Sequence, residues 1–148
     1  MNDADFMNEA YTEALKALAH NDVPIGAVVV KDGIIIGRGH NRREIDTDPT
    51  AHAEILALRD AGCTIGDWNL KDCILYVTAE PCPMCAGALI NARIKWVVYG
   101  ADEPNFGSAG SVLNLLQFPS FNHNVRIKGP IDEERCGALL QNFFKKLR

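Results

Sequence analysis

The fold is decided by residues 73–100, which read CILYVTAEPCPMCAGALINARIKWVVYG. The first and last parts of this stretch, Cys73–Thr78 and Ile94–Gly100, are short apolar runs with the β-branched residues typical of buried strands. Between them, the Pro-Cys-Pro at residues 81–83 begins a segment that we expect to be helical through about Asn91, since proline is favoured in the first turn of a helix. A strand, a helix and a strand in this order predict two parallel strands joined by a right-handed crossover.

A helix and a hairpin are predicted near the N-terminus. Apolar residues recur at three- and four-residue steps from about Asp3 to His20, which predicts an amphipathic helix. Two β-branched runs, Ile25–Val30 and Ile34–Gly39, are joined by Asp32-Gly33, which is a strong hairpin signal. We therefore expect two antiparallel strands before the parallel unit.

After the parallel unit, residues 100–111 are rich in Gly, Ser, Pro and Asn and are expected to form a loop. A short helical turn is expected near Val112–Leu116, a strand at Val125–Lys128 and a last helix at Ile131–Leu147. Together with a helix after the hairpin, the element order predicts an α/β fold with three layers, α/β/α, and a mixed sheet of about five strands. The length suits a single domain over residues 1–148.

The composition and charge of the chain exclude several classes of protein. A content of 47% hydrophobic and 23% charged residues suits a globular domain with a core. The formal net charge of −4 argues against the strongly basic surface usual in a protein that binds duplex DNA. The charge is uneven, because residues 1–122 carry nine Lys/Arg against sixteen Asp/Glu, whereas residues 123–148 carry six against three. The last part of the chain is therefore basic.

No stretch of the sequence is apolar over the length that a signal peptide or a membrane span needs. We therefore expect a cytoplasmic protein without a membrane partner. Five cysteines in such a chain are better interpreted as thiols or metal ligands than as a disulfide framework, and their odd number agrees with this interpretation.

Two short segments carry residues typical of a metal site, His52-Ala53-Glu54 and, further along, Pro81-Cys82-Pro83-Met84-Cys85. Alone, the Cys-x-x-Cys pattern would also fit a redox pair or half of a structural zinc site. Two cysteines and one histidine give three ligands, and zinc with three protein ligands keeps its fourth position for water, as catalytic sites do. Cys82 and Cys85 lie three residues apart in a helical first turn, where exposed N–H groups favour the thiolate. The combination therefore favours a catalytic zinc site.

The acidic residue of the first segment is a candidate proton carrier. His52 and Glu54 would diverge in a helix interior, so they can serve one site only if the helix begins there. Pro49 and Thr50 predict such a start, with Thr50 as N-cap of a helix at Ala51–Ala61. In this interpretation Glu54 takes a proton from the water that the metal activates and returns protons to a leaving nitrogen. The other cysteines lie among apolar residues and are expected to be small buried residues: Cys63, Cys73 and Cys136.

These two segments, in this order, are the signature of zinc deaminases of nucleobases, and the sequence resembles the cytidine deaminase superfamily. More narrowly, it resembles the bacterial tRNA-specific adenosine deaminases, which convert the wobble adenosine of an anticodon to inosine. The zinc motifs identify only the superfamily, whereas a Gly-Ser-rich segment, an Asn-His pair and a basic Phe-Phe end are typical of the tRNA branch. The resemblance runs through residues 23–28, 39–41, 48–54, 75–88, 107–111, 122–123 and 143–144.

The resemblance implies a cytidine deaminase-like fold, one zinc ion per subunit and a homodimer that binds the anticodon stem-loop of tRNA. It implies His52, Cys82 and Cys85 as ligands of the zinc and Glu54 as the proton shuttle. Further residues are implied to hold the flipped adenosine or to line its pocket: Asn41, the backbone around Ala53, Val23 and Pro81.

The sequence departs from the family in the loop Asp102–Gly107, where a lysine often precedes the glycine. The departure removes a phosphate contact and adds an acidic face beside Asn105, a candidate substrate contact. Phe106 would either stack on an unpaired base or pack against the protein. In the basic C-terminal part, His123 and Phe143 or Phe144 are expected near the bases. Basic residues there would either contact phosphates or form a solvated helix end: Arg126, Lys128, Lys145, Lys146 and Arg148.

Two other functions fit the same residues. A deaminase of a free nucleobase or nucleoside, such as guanine, cytosine or adenosine, would keep the zinc and agree with the net acidity. A noncatalytic zinc-binding interaction domain would make Glu54 a surface residue, and exchange of Glu54 would then leave every function intact.

Overall fold

The computed structural model describes residues 1–147, so the contact expected of Arg148 lies outside the described residues. Within this part of the chain, none of the helices is long and apolar enough to span a bilayer. The helices are α1 (Asp3–Ala19), α2 (Ala53–Ile65), α3 (Pro83–Asn91) and α4 (Glu133–Lys146). The strands are β1 (Gly26–Lys31), β2 (Ile34–His40), β3 (Cys73–Ala79), β4 (Trp96–Ala101) and β5 (Arg126–Lys128).

The strands form one mixed sheet in the order β2-β1-β3-β4-β5. Strand β1 is antiparallel to β2 and β3, whereas β3, β4 and β5 are parallel. In the turn of the β1–β2 hairpin, Asp32 and Gly33 have φ values of 50° and 76°, the left-handed conformation that a tight two-residue turn favours. The predicted mixed sheet of five strands and the parallel pair joined through α3 are therefore confirmed.

Helices cover both faces of the sheet, because side chains alternate between the two faces along each strand. Val28 of β1 packs with Phe6 of α1 in one cluster, whereas Val29 packs with buried residues of α2 and α3 in the other. On the α1 side of β4, Gly100 lies against Cys136 of α4. The helices α1 and α4 therefore form one outer layer and α2 and α3 the other, which is the predicted α/β/α arrangement.

Helix α2 begins later than the sequence predicts, and its N-cap is His52 rather than Thr50. Thr50 donates its N–H and its hydroxyl to Asp48 Oδ1, at 2.8 and 2.7 Å, so it closes a local turn before the helix. The helix also continues to Ile65, beyond the predicted end, and stops at Gly66 in the left-handed conformation. The later start leaves His52 extended at the helix entrance.

The segment between β4 and β5 contains no helix, so the predicted turn of helix at Val112–Leu116 is wrong. The N–H groups of Val112 and Leu113 both donate to the carbonyl of Gly107, at 3.0 and 3.2 Å. The two N–H groups share one carbonyl, whereas in an α-helix successive N–H groups bond to successive carbonyls four residues earlier. The segment is instead a folded loop.

The N-terminal half of α2 lies unusually close to β2. A Cβ atom on Gly39 would clash with the carbonyl of Ala53 and would lie 2.6 Å from the backbone nitrogen of Ala57. Gly37 allows the same approach one helical turn later. The lack of a side chain at these two positions therefore brings the first turn of α2, with its chemistry-bearing residues, directly onto the sheet.

Candidate metal centre

Three possible metal ligands meet where α2 and α3 begin. His52 is the N-cap of α2, Cys82 is the N-cap of α3, and Cys85 follows in the first turn of α3. The Nδ1 atom of His52 lies 3.6 Å from Cys82 Sγ and 3.5 Å from Cys85 Sγ, and the three ligand atoms all lie within 4.8 Å of one another. Two thiolates and one imidazole at these separations can hold a single tetrahedral metal ion.

The starts of both helices are fixed by their sequence neighbours and by a strand end. Asn41, just after β2, accepts a hydrogen bond at Oδ1 from the N–H of Ala53 at 2.8 Å and so satisfies one free donor of α2. Pro83 occupies the first position of α3, where its missing N–H costs nothing. With the helix starting at Ala53, His52 and Glu54 can face the same site.

The proximity of the ligand groups changes their acidities. The hydrogen bond from Cys85, assisted by His52, lowers the pKa of the Cys82 thiol to about 4. The pKa of Cys85 is raised, because Cys85 donates this hydrogen bond and is buried. The hydrogen bond to Cys82 also raises the pKa of His52. The lowered pKa favours the Cys82 thiolate, the form in which cysteine binds metal ions.

Glu54 lies beside the ligands, in the first turn of α2, and only 4% of its surface is exposed. Burial raises the pKa of its carboxyl to about 7, and although its own backbone N–H opposes this effect, the negative charge of Cys82 adds to it. A carboxyl with such a pKa can both accept and release a proton near neutral pH.

The residues implied to hold an adenosine differ in their burial and in their hydrogen bonds. Ala53 and Pro81 are buried next to the ligands in sequence. The N–H of Asn41 donates to the carbonyl of Ile25 at 3.2 Å, and within residues 1–147 its side-chain amide nitrogen has no hydrogen-bond partner. Val23 is half-buried, and its carbonyl accepts a hydrogen bond from the N–H of Ile25 at 2.8 Å. Asn41 therefore links the Val23 segment to the start of α2 and keeps a free donor.

The residues expected to contact RNA divide between two places. Asn105, Phe106 and Phe144 line one groove of about 820 Å³ between the loop after β4 and helix α4. Phe106 is 63% exposed and Phe144 is 44% exposed, so both rings are accessible. His123 is not among the described residues that line this groove, and its Nε2 atom is hydrogen-bonded to the carbonyl of Ile94 at 2.8 Å. The structure therefore groups Asn105 with Phe144 but places His123 elsewhere.

The basic residues of the C-terminal part differ in whether their charged groups are free to contact phosphates. The Lys128 ammonium is paired with Asp3 at the start of α1. The Arg126 guanidinium lies over the Trp96 ring, 5.7 Å from its centroid. Two exposed residues lie in the last turn of α4: Lys145 and Lys146.

The other three cysteines have different environments. Cys73 and Cys136 are buried, as expected, and burial raises the pKa of both thiols. Cys63 is exposed, so its predicted burial is wrong. Cys63 lies on the outer side of α2, next to Trp68 in a cleft between α2 and α3. Within the described chain none of the three joins the ligand group.

Sequence reasoning missed Glu80, a buried carboxylate between the end of β3 and the ligand segment. Its carboxylate accepts hydrogen bonds from the loop that follows β4. The available signal was a charged residue placed directly after an apolar strand and before Pro81-Cys82. Charged residues are rarely fully buried unless they have partners.

Comparison with known proteins places this site in a family. The model of the family described as MafB19-like deaminase matches residues 1–148. The chain is 48% identical to the tRNA-specific adenosine deaminase of Bacillus subtilis (strain 168) over an alignment of 143 residues. This alignment covers 97% of this chain and 89% of the relative. It is 44% identical to the protein of the same name from Aquifex aeolicus (strain VF5) over an alignment of 144 residues. This alignment covers 97% of this chain and 94% of the relative.

Solved structures of two kinds of deaminase share this fold. A structure from a study of A-to-I editing by tRNA:A34 deaminases at the wobble position is 39% identical, with a TM-score of 0.89 over 93% of this chain and 99% of that chain. The structure of guanine deaminase from Bacillus subtilis is 35% identical, with a lower TM-score of 0.68 over 98% of this chain and 95% of that chain. The chain therefore belongs to the MafB19-like deaminase family and to the tRNA-specific adenosine deaminases.

Proposed function

We propose that the protein hydrolytically deaminates the wobble adenosine in the anticodon loop of tRNA and leaves inosine. The observation that carries the proposal is the convergence of His52, Cys82 and Cys85 on one point, with the buried Glu54 carboxyl beside them. The curated relatives at 44% and 48% identity are named tRNA-specific adenosine deaminases, which supports RNA as the source of the adenosine.

The ligand group fits one zinc ion per subunit, because thiolate sulfur and imidazole nitrogen are ligands that suit zinc. Within residues 1–147, no fourth histidine, cysteine or carboxylate joins His52, Cys82 and Cys85, so one coordination position is left for water. Zinc bound there supplies a water that ionises near neutral pH. Glu54 accepts the proton of the attacking water and passes it to the amino group that leaves C6 of adenine as ammonia.

The pocket for the base is formed around the start of α2. The free amide nitrogen of Asn41 can donate a hydrogen bond to an acceptor on the base, while its oxygen holds the N–H of Ala53. Val23 and Pro81 contribute apolar surface to this pocket. Because Asn41 is 7% exposed and fixed at both its backbone and its side chain, the base meets a donor that is already in place.

We propose that the groove lined by Asn105, Phe106 and Phe144 receives the bases that flank the target, with Lys145 and Lys146 near phosphates. Exposed aromatic rings suit unpaired bases, which are accessible in a hairpin loop and not in a duplex. The expected contact of His123 with the RNA would have to lie outside this groove, because His123 does not line it. The small basic surface suits a local stem-loop. We also propose a cytoplasmic location, which agrees with tRNA as the substrate.

The assay that tests this function compares three substrates. We expect inosine in an anticodon stem-loop RNA that carries adenosine at the wobble position, and none when the adenosine is moved into the stem, because a paired base cannot enter the site without unpairing. Free guanine, cytosine and adenosine should release no ammonia. Ammonia from a free base with unchanged RNA would keep the chemistry but overturn the proposed substrate.

We further propose that two copies of the chain associate through the outer face of α2 and α3. The cleft there, about 780 Å³, is lined mainly by apolar side chains, including Ile55, Leu58 and Trp68. Trp68 is 66% exposed, and large apolar side chains grouped on a surface are typical of an interface.

Sedimentation velocity tests the homodimer. We expect the wild-type chain to sediment as a dimer and Trp68→Glu to shift it to the monomer, because a carboxylate would be buried without a partner at the interface. Ile34→Glu is the matched control, since Ile34 is equally exposed, at 66%, but lies on the β1–β2 hairpin. A monomeric wild-type chain, or a dimer unaffected by Trp68→Glu, would contradict this interface.

A further inference from the structure

Glu80 is a buried carboxylate whose position joins two parts of the site. It follows the last residue of β3 and precedes Pro81-Cys82, and only 3% of its surface is exposed. Its own N–H donates to the carbonyl of Ala101 at 2.8 Å, which ties it to the end of β4. Within residues 1–147 no lysine, arginine or histidine pairs with it. A buried charge of this kind needs other partners.

The hydrogen-bond partners of the Glu80 carboxylate all come from residues 102–111, which we call the 102–111 loop. Oε1 accepts hydrogen bonds from the N–H of Glu103, at 3.1 Å, and from the hydroxyl of Ser111. Oε2 accepts from the N–H of Ala109, at 2.8 Å, and from the N–H of Ser111, at 3.0 Å. One carboxylate therefore satisfies donors at both ends of the loop.

Two further contacts fit the loop closely against this carboxylate. A Cβ atom on Gly107 would lie 2.5 Å from the carboxyl carbon of Glu80, so the loop can reach it only with glycine there. The N–H of Ser108 donates to the carbonyl of Pro81 at 2.9 Å. Because the loop contains no helix or strand, these bonds replace the ladder that would otherwise fix its backbone.

We propose that Glu80 is a positioning residue that holds the 102–111 loop in the shape that receives the RNA. The proposal rests on the proposed RNA substrate, because the tip of the loop carries Asn105 and Phe106 and lines the groove with Phe144. Glu80 is not one of the three grouped ligands, and its carboxylate oxygens are engaged by the loop. It acts by fixing the loop to the segment that carries Cys82. The distance and orientation between the groove and the metal centre then stay constant.

The expected effect of losing this contact is on RNA affinity rather than on the chemical step. A loop that is released from Glu80 spends only part of its time in the shape that binds RNA. If that fraction falls to a tenth, the apparent affinity for RNA falls about tenfold, whereas the bound complex reacts as before. A rise in KM at little-changed kcat is therefore the signature of a positioning role.

The test is Glu80→Gln in the full-length, zinc-loaded protein. Glutamine has the shape of glutamate but replaces one acceptor oxygen by an NH₂ group that must face two hydrogen-bond donors. We expect KM for the stem-loop RNA to rise about tenfold, with little change in kcat and in zinc content. Amide hydrogens of Glu103, Ala109 and Ser111 should exchange faster with solvent. Glu134→Gln, the same change on the exposed face of α4, should alter none of these values.

Ser111→Ala provides a second variant that removes only one donor and leaves the buried carboxylate intact. We expect it to raise KM and loop exchange in the same direction by less. Unchanged exchange and KM in both variants would overturn the proposal, as would a collapse of kcat together with loss of zinc in Glu80→Gln. If the wild-type protein fails to deaminate RNA, the proposed function fails, and the exchange measurement then decides whether Glu80 holds the loop.

Discussion

Replacing Glu54 by glutamine should lower the rate of inosine formation by about 10²- to 10⁴-fold, the usual contribution of a positioned general acid–base group. Glutamine preserves the size of the side chain and the start of α2, but it cannot accept a proton from water or deliver one to a leaving amine. Because Glu54 is buried beside the ligand atoms and is not one of the three ligands in our assignment, the metal should stay bound.

Single-turnover deamination of the stem-loop RNA, together with the zinc content of the same preparation, measures this effect. Glu134→Gln again makes the same chemical change at an exposed position and should react like the wild type. A Glu54→Gln protein that retains full turnover would exclude Glu54 as the proton carrier. A protein that loses its zinc would instead show that Glu54 supports the ligands.

Cys85→Ala should abolish zinc binding, and with it both deamination and the stabilisation that zinc gives the fold. Cys85 is completely buried at the meeting point of α2 and α3, and its loss leaves only His52 and Cys82 as ligands. A ligand that binds only the folded chain stabilises it by about 1.4 kcal/mol for each tenfold excess over its Kd. For a chain of this size each kcal/mol raises Tm by about 2–4 °C.

Thermal unfolding with and without added zinc checks this prediction. The wild-type protein should gain several degrees in Tm, on the order of the increments above, whereas Cys85→Ala should gain nothing. Cys136→Ala is the matched control, because it removes another buried thiol, but from the layer of α1 and α4. If Cys85→Ala keeps its zinc-dependent rise in Tm, or if Cys136→Ala loses it, the proposed ligand set is wrong.

The sequence predicted the elements of this fold wherever local patterns decide them. The hairpin at Asp32-Gly33 and the strand, helix and strand of residues 73–100 have signals confined to a few neighbouring residues. The predicted start of α2 was wrong because the free N–H of Ala53 is bonded by the side chain of Asn41, which lies twelve residues earlier in the sequence. The hydroxyl of Thr50, the predicted cap, donates to Asp48 instead. A cap supplied by another element leaves no local pattern.

In the candidate site, too, the features set by local sequence could be predicted, whereas those that depend on residues distant in sequence could not. His52, Cys82 and Cys85 could be selected from the sequence because their residue types and spacing carry the chemistry of a metal site. The position of Glu80 after an apolar strand could mark it as unusual, but its role could not be predicted, because its hydrogen-bond donors lie in a loop that has neither helical nor strand periodicity. The grouping of Asn105 with Phe144 likewise depends on how α4 lies against that loop.

The two helices that begin at one point also determine which molecules the pocket can accept. With a divalent cation bound, Cys82 and Cys85 would both be thiolates, so together with the Glu54 carboxylate they would bring three negative charges against the two positive charges of the cation. Each helix N-terminus adds about half a positive charge, so with a divalent cation bound these groups together would sum to about zero. We therefore expect the inner pocket to favour an uncharged heterocycle, while the anionic phosphates of its carrier stay at the protein surface.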